Sequence, residues 1–318
     1  MNLIKNEIAF VFPGQGSQKV GMGHDLYCEH KVAKEVFQLV DDTLQRNLSK
    51  IIFQGKSDEL TKTYNAQPAL MAVSVAVVRV LEYELKKNFY EIASIVSGHS
   101  LGEYSALCSI GVLSLEDTSK LLEIRGKSMQ NSVKKEETMM TAVLGIEIHL
   151  IEEIINKNYH DGICDIANDN CPGQIVLSGH KSKLENISSM LKDLGAKIIN
   201  INVSAPFHSR LMQPAAKIMK NELENVNFHK LKTKYINNVE ARFCDNSDKI
   251  RKLLVDQITK KVRWSETIKL ISSNTRNIVE IGSGKVLTGL NRRMGLDLNT
   301  FNIGSMPEVD DFLNKFCK

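Results

Sequence analysis

The sequence predicts an α/β protein: a mainly parallel sheet flanked by helices, interrupted by a smaller unit of βαββαβ order, the ferredoxin-like arrangement. Three observations carry this. Short apolar runs alternate with segments of helical period along most of the chain. The stretch Ile92–Val96 is near-continuously apolar, as a strand covered on both faces requires. The middle of the chain breaks the alternation with four strands and two helices in close succession.

Taken in order, Ile8–Phe12 is a short β-like run closed by Pro13-Gly14, which a strand does not carry through. Lys31–Asn47 and Gln67–Lys87 have helical period and composition. After the strand Ile92–Val96, a helix over Glu103–Ile110 stops near Gly111. Ser114-Leu115-Glu116-Asp117 reads as a capping box opening a further helix to about Gln130. A charged connector, Lys134–Glu137, leads into a strand (Met139–Ile146), a helix (His149–Tyr159) and two strands (Cys164–Ala167, Gln174–Ser178). A second helix (Lys181–Leu194) and a strand (Lys197–Val203) complete the unit. These bounds place an inserted subdomain at 135–203, within a larger domain formed by 1–134 and 204–318.

Composition narrows the function classes. The 318 residues are 42% hydrophobic and 25% charged, which excludes disordered and fibrous chains. Forty-one Lys and Arg against 37 Asp and Glu leave +4, spread without a basic block, and a single Trp offers no base-stacking platform. No nucleic-acid partner is expected. The longest apolar stretch, Ala69–Val78, stops at Arg79, short of the roughly 18–20 residues a bilayer needs, so no membrane partner is expected either. The apolar run at Ile8–Phe12 is too short for a signal peptide. Cys28, Cys108, Cys164, Cys171, Cys244 and Cys317 form no C-x-x-C and no zinc-finger spacing. They read as reduced thiols in a cytoplasmic protein, with no metal site.

The sharpest chemical signal is Gly98-His99-Ser100-Leu101-Gly102, a G-x-S-x-G between the buried strand and the helix from Glu103. A nucleophile at such a turn sits in a strained conformation, and small residues on either side relieve the crowding. The N–H of Leu101 then points at a developing oxyanion, in the field of the helix N-terminus. The bland alternative is a glycine-rich turn with a capping serine. A nucleophilic serine needs a base. Among eight histidines, His99 is adjacent to Ser100 and leaves the elbow in another direction. His208, in the turn Ser204–His208 after a strand, is the better candidate, although a loop histidine taken alone is usually just exposed. His24, His30, His149, His160, His180 and His229 lie in polar or helical surroundings.

Arg125 shares a helix face with Leu115, Leu122, Gly126 and Met129. It is either a snorkelling side chain or a planar fork set for a carboxylate or phosphate. Two glycine-rich segments, Gly14–Lys19 and Gly282–Val286, lack the full nucleotide fingerprints and read as tight turns whose amides approach something.

Together these segments resemble one family. Phe12-Pro13-Gly14-Gln15-Gly16-Ser17-Gln18, Gln67-Pro68-Ala69-Leu70, Gly98–Glu103, Arg125-Gly126-Lys127, Pro172-Gly173-Gln174, Pro206-Phe207-His208 and Gly284–Leu290 are similar, in order, to the malonyl-CoA:acyl carrier protein transacylases. The resemblance spans about residues 8–293 and implies an α/β-hydrolase-like core with the ferredoxin-like insertion. It implies Ser100 as the nucleophile that takes the malonyl group, His208 as its base, and the backbone carbonyl of Gln257 as the group orienting His208. Gln15 and Leu101 match the oxyanion-hole amides, Arg125 the partner of the free malonyl carboxylate, and Asn170 an asparagine lining the cleft mouth. Phe207 occupies a variable site where a bulky residue resembles malonyl-selective members. No cofactor is implied. The expected partners are malonyl-CoA and acyl carrier protein, the latter on a basic patch including Arg292 and Arg293, with the chain acting as a monomer in fatty acid synthesis. A free-standing acyltransferase serving a polyketide synthase has the same chemistry. A serine esterase would use water, usually with an acidic triad member, and a non-catalytic binding module would not need all four of Ser100, His208, Arg125 and Gln257.

Overall fold

The computed structural model describes residues 8–316; Cys317, counted above among the thiols, lies outside them. The chain opens with strands β1 (Ile8–Phe12) and β2 (Ile95–Gly98). A middle group follows: β3 (Thr138–Leu144), β4 (Cys164–Cys171), β5 (Gln174–His180) and β6 (Lys197–Ile201). The remaining strands are β7 (Lys234–Ile236), β8 (Phe243–Cys244), β9 (Val262–Arg263), β10 (Asn277–Ile281) and β11 (Asn299–Ile303).

The first sheet has the order β11-β10-β1-β2-β7-β8 and is parallel except for the antiparallel pair β7–β8. Its central strand shows why the run at Ile8–Phe12 has no polar residue. Phe10 and Phe12 enter one core with the long helix Thr63–Leu85, whereas Ala9 and Val11 enter another with Trp264, Ile268 and Leu287. Successive side chains point to opposite faces, and here both faces are covered.

The second sheet has the order β6-β3-β5-β4-β9. With the helices Ile148–Lys157 and Lys181–Asp193, strands β3 to β6 follow the expected βαββαβ order. Val143, Ile175 and Leu177 pack on those helices, while Met140 and Val176 face the main core. The fifth strand, β9, comes from the C-terminal portion and pairs in parallel with Asn168 and Asp169 of β4. The middle unit is therefore stitched to the main body through the sheet itself.

Several bounds differ from the sequence reading. Residues 92–94 are not strand: Phe89–Ile92 forms one helical turn, since the Glu91 carboxylate accepts from the Asn88 amide at 2.9 Å and Phe89 and Ile92 bury on one side. The long helix begins at Thr63, upstream of Pro68. Proline cannot donate to the Tyr64 carbonyl four residues back, and Arg46 Nη2 donates to that oxygen instead at 3.3 Å. β4 continues through Asn168, Asp169 and Asn170, poor strand formers that two register shifts accommodate. Among the described residues no helix is long and apolar enough to cross a membrane.

The helix Leu115–Gln130 starts as expected, with Ser114 Oγ accepting from Asp117 N at 2.9 Å. It crosses the long helix at Gly126, where a Cβ would lie 2.5 Å from Tyr64 Cα. That approach sets the depth of Arg125. Gly126→Ala is expected to cost about 2 kcal/mol of stability by overpacking, read by chemical denaturation. A loss below about 0.5 kcal/mol would show that the crossing tolerates a methyl group.

Candidate active site

The site forms where β2 ends. Ser100 has φ 54°, the left-handed region that side chains avoid, so the turn is strained at the serine itself. Glycine is required on both sides. A Cβ on Gly98 would sit 2.0 Å from the Gly102 carbonyl, and one on Gly102 would sit 2.2 Å from Phe12 O. Asn238 holds the turn, accepting from Ser100 N at 2.8 Å and donating from Nδ2 to Gly98 O at 2.6 Å. The amides of Leu101 and Gln15 donate to no partner among the described residues, and both residues line the cleft beside Ser100.

His208 reaches this hydroxyl from the loop after β6. Its Nε2 lies 2.8 Å from Ser100 Oγ and its Nδ1 lies 2.7 Å from Gln257 O. A carbonyl only accepts, so Nδ1 carries the hydrogen and Nε2 is left free to take the hydroxyl proton. His208 is buried, and burial, then the charge of Arg125, pushes its pKa down to about 3. The imidazole is neutral, the form a base requires.

Arg125 is 1% exposed. Nη1 donates to Gln67 Oε1 at 2.7 Å, and Nη2 donates to Gln257 Oε1 at 2.8 Å and to Ser100 Oγ at 3.2 Å. All three acceptors are neutral oxygens, and Nε has no partner. Burial lowers its pKa, opposed by Tyr104 and Glu103. A buried cation hydrogen-bonded only to neutral acceptors favours an incoming anion. The cavity over Ser100, Arg125 and His208 holds about 180 Å³ and is also lined by Phe207, Met129 and Met140. A larger groove of about 810 Å³, lined by Val32, Arg79, Tyr83 and Glu116, lies elsewhere and contains none of these groups. Among the described residues no group of three or more His, Cys, Asp or Glu is placed to hold a metal ion.

A family model, the acyl transferase domain, matches residues 9–295. The chain belongs to the acyl transferase family. Malonyl CoA-acyl carrier protein transacylase of Bacillus subtilis (strain 168) is 41% identical over 308 residues, 96% of this chain and 95% of that one. The protein of that name from Escherichia coli (strain K12) is 37% identical over 290 residues, 91% and 93% of the two chains. Among solved structures, an acyl-carrier-protein-S-malonyltransferase from Bartonella henselae matches with TM-score 0.94 at 48% identity, covering 98% of this chain and 99% of its own. A malonyl-transacylase complexed with a type II PKS acyl-carrier protein matches with TM-score 0.92 at 36% identity, over 97% and 99%.

In this acyl transferase the structure brings together Ser100, His208, Arg125, Gln257, Gln15, Leu101 and Phe207. Asn170 is a correction. It does not line the cleft; its Oδ1 bonds His99 Nε2 at 2.9 Å, and Asn168, two residues earlier on the same strand, faces the cavity. His99 is half-buried, stands edge-on to Trp264 and also lines the cavity. Arg292 and Arg293 are exposed, bonded to Thr300 at 3.0 Å and to Gln174 at 2.5 Å. The two glycine-rich turns meet each other, with Ser283 Oγ donating to Ser17 O at 2.8 Å. Sequence reasoning missed the parts played by Asn238, Glu103 and Gln67. Gln67 and Glu103 stand inside motifs quoted above, but nothing local marks Asn238, which meets Ser100 across 138 residues.

The His208 ring is expected to show no titration by NMR between pH 5 and 8. Because its pKa is depressed, its linkage term costs stability only as pH falls below about 6.5, where the unfolded chain takes up the proton first. A midpoint above 6 in the free protein would overturn the buried neutral assignment.

Proposed function

We propose that the chain transfers malonyl from malonyl-CoA to the phosphopantetheine thiol of acyl carrier protein by a ping-pong route, in fatty acid synthesis. The observation that carries this reading is the buried Arg125 guanidinium, bonded only to neutral oxygens and 3.2 Å from a serine hydroxyl already paired to a neutral histidine. Ser100 Oγ attacks the thioester carbonyl while its proton passes to His208 Nε2. The amides of Gln15 and Leu101 hold the oxyanion, and the Gln257 carbonyl holds the imidazolium that forms. Collapse breaks the C–S bond, and the coenzyme A sulfur takes the proton from Nε2. The carrier thiol then gives its proton to His208 and attacks the ester, and Ser100 leaves and takes the proton back. Arg125 pairs with the malonyl carboxylate in both halves, and Phe207 packs beside it.

No cofactor enters this scheme. We place the enzyme in the cytoplasm, acting as a monomer. We read the main body, 1–134 and 204–318, as α/β-hydrolase-like; its support is the parallel sheet with the strained serine between β2 and a helix. We read 135–203 as a ferredoxin-like subdomain, supported by the strand order β6-β3-β5-β4. A polyketide carrier is the second reading, favoured by the likeness to a malonyl-transacylase bound to a type II PKS acyl-carrier protein. A hydrolase triad is disfavoured, since Nδ1 of His208 faces a backbone carbonyl where a triad has a carboxylate.

Intact-mass measurement after mixing with malonyl-CoA is expected to show one malonyl adduct, absent in Ser100→Ala. Absence of the adduct from the wild type would falsify the reading. Arg125→Ala removes a charge-assisted pair of about 2–3 kcal/mol, so malonyl loading relative to acetyl loading is expected to fall roughly 30- to 150-fold. Replacing Arg292 and Arg293 together by alanine is expected to raise the carrier-protein KM about three- to tenfold while coenzyme A substrates are unaffected. An equal change for both substrates would remove these arginines from the docking surface.

A further inference from the structure

We propose that Glu103 is a positioning residue for acyl transfer, its buried carboxylate holding Gln257 and Asn238 so that Ser100, His208 and Arg125 stay in register. The inference rests on the reading of Ser100 as nucleophile. Glu103 stands in the first turn of the helix Gly102–Ser109, directly behind the elbow, and is 1% exposed. Oε1 accepts from Asn238 N at 3.0 Å and from the Tyr235 hydroxyl, and Oε2 accepts from Gln257 Nε2.

The consequence lies in the direction these bonds impose. A carboxylate is acceptor-only, so it faces the Gln257 carboxamide with an oxygen and draws Nε2 toward itself. Nε2 also donates to Ser100 O at 2.9 Å, and the amide oxygen is thereby turned to Arg125 Nη2 at 2.8 Å. The backbone carbonyl of the same Gln257 holds His208. An amide at position 103 has one acceptor oxygen, so its NH₂ group must face either Gln257 Nε2 or Asn238 N, both donors, and a protonated acid must turn its hydroxyl on one of these or reverse the Tyr235 hydroxyl. Flipping the Gln257 amide to accept from such a donor would set an NH₂ group against the Arg125 guanidinium. The ionised carboxylate accepts from all three donors without reversing any bond in this chain.

On its second side, Glu103 fixes the backbone of Asn238, whose side chain clamps both Ser100 N and Gly98 O. The charged and titratable groups facing it are Arg125, Tyr235 and its neighbour Tyr104. Burial raises its pKa to about 7, against the hydrogen bonds and Arg125, which lower it. The carboxylate therefore forms as pH rises through neutrality.

The test follows Ser100 modification by intact mass with two reagents, malonyl-CoA and an uncharged alkyl fluorophosphonate, from pH 5.5 to 8.5. With either reagent the wild-type rate is expected to rise with pH to a plateau with a midpoint near 7, well above any limb from His208. Glu103→Gln is expected to be about 100-fold slower and flat with pH, as displaced reacting groups are. Glu103→Asp keeps the charge and is expected to retain the limb. A flat wild-type profile, or a Glu103→Gln rate within threefold of wild type, overturns the proposal; if Glu103→Gln does not fold, the wild-type profile and Glu103→Asp decide. Labelling of wild-type Ser100 by the fluorophosphonate alone sinks the malonyl reading and leaves this test standing. Labelling by neither reagent overturns both.

Discussion

The contact on which the site depends is between two backbones, where the α-carbon of Gly102 presses on the carbonyl of Phe12. A methyl group added there would stand 2.2 Å from that oxygen, so no other residue lets β1 and the helix after β2 come this close. The registry Phe12↔Gly98 and the bond from His99 N to Phe12 O at 2.9 Å hold the two strand ends together. Because β1 ends beside the elbow, the turn after it delivers the Gln15 amide to the face of Ser100. The Gln15 and Leu101 amides therefore come from the ends of two strands whose separation is fixed by one missing side chain.

Electrostatics then set the two working groups against each other in a useful way. Burial and Arg125 keep His208 neutral, and Arg125 has only neutral acceptors until an anion arrives. A substrate carboxylate would neutralise the cation and relieve the pressure on the imidazole in the same event. The cationic site is costly to bury when empty, and under the proposed reading that cost would become discrimination against uncharged acyl groups.

Much of the fold was legible because its signals are local. The apolar run of β1 and the Ser114 cap are each written within a few neighbouring residues, and the βαββαβ order within one continuous segment. Ser100 was legible because strain at a strand-to-helix turn demands glycine on both sides. His208 and Arg125 needed the family resemblance, since a loop histidine or an arginine on an apolar stripe has common bland explanations. The rest was hidden by range and register. Asn168 and Asn170 differ only in which face of a bulged strand they occupy, and β9 is two residues long, below any periodic signal. Asn238 meets the elbow only once β7 pairs with β2.

The short strand β9 has a mechanical consequence. It begins five residues after Gln257, whose carbonyl aims the His208 ring, and it is hydrogen-bonded to β4 of the middle unit. A hinged swing of that unit away from the main body must either tear this pairing or drag the 258–263 linkage with it. The middle unit and the carbonyl that holds His208 are thus tied together through five residues of chain.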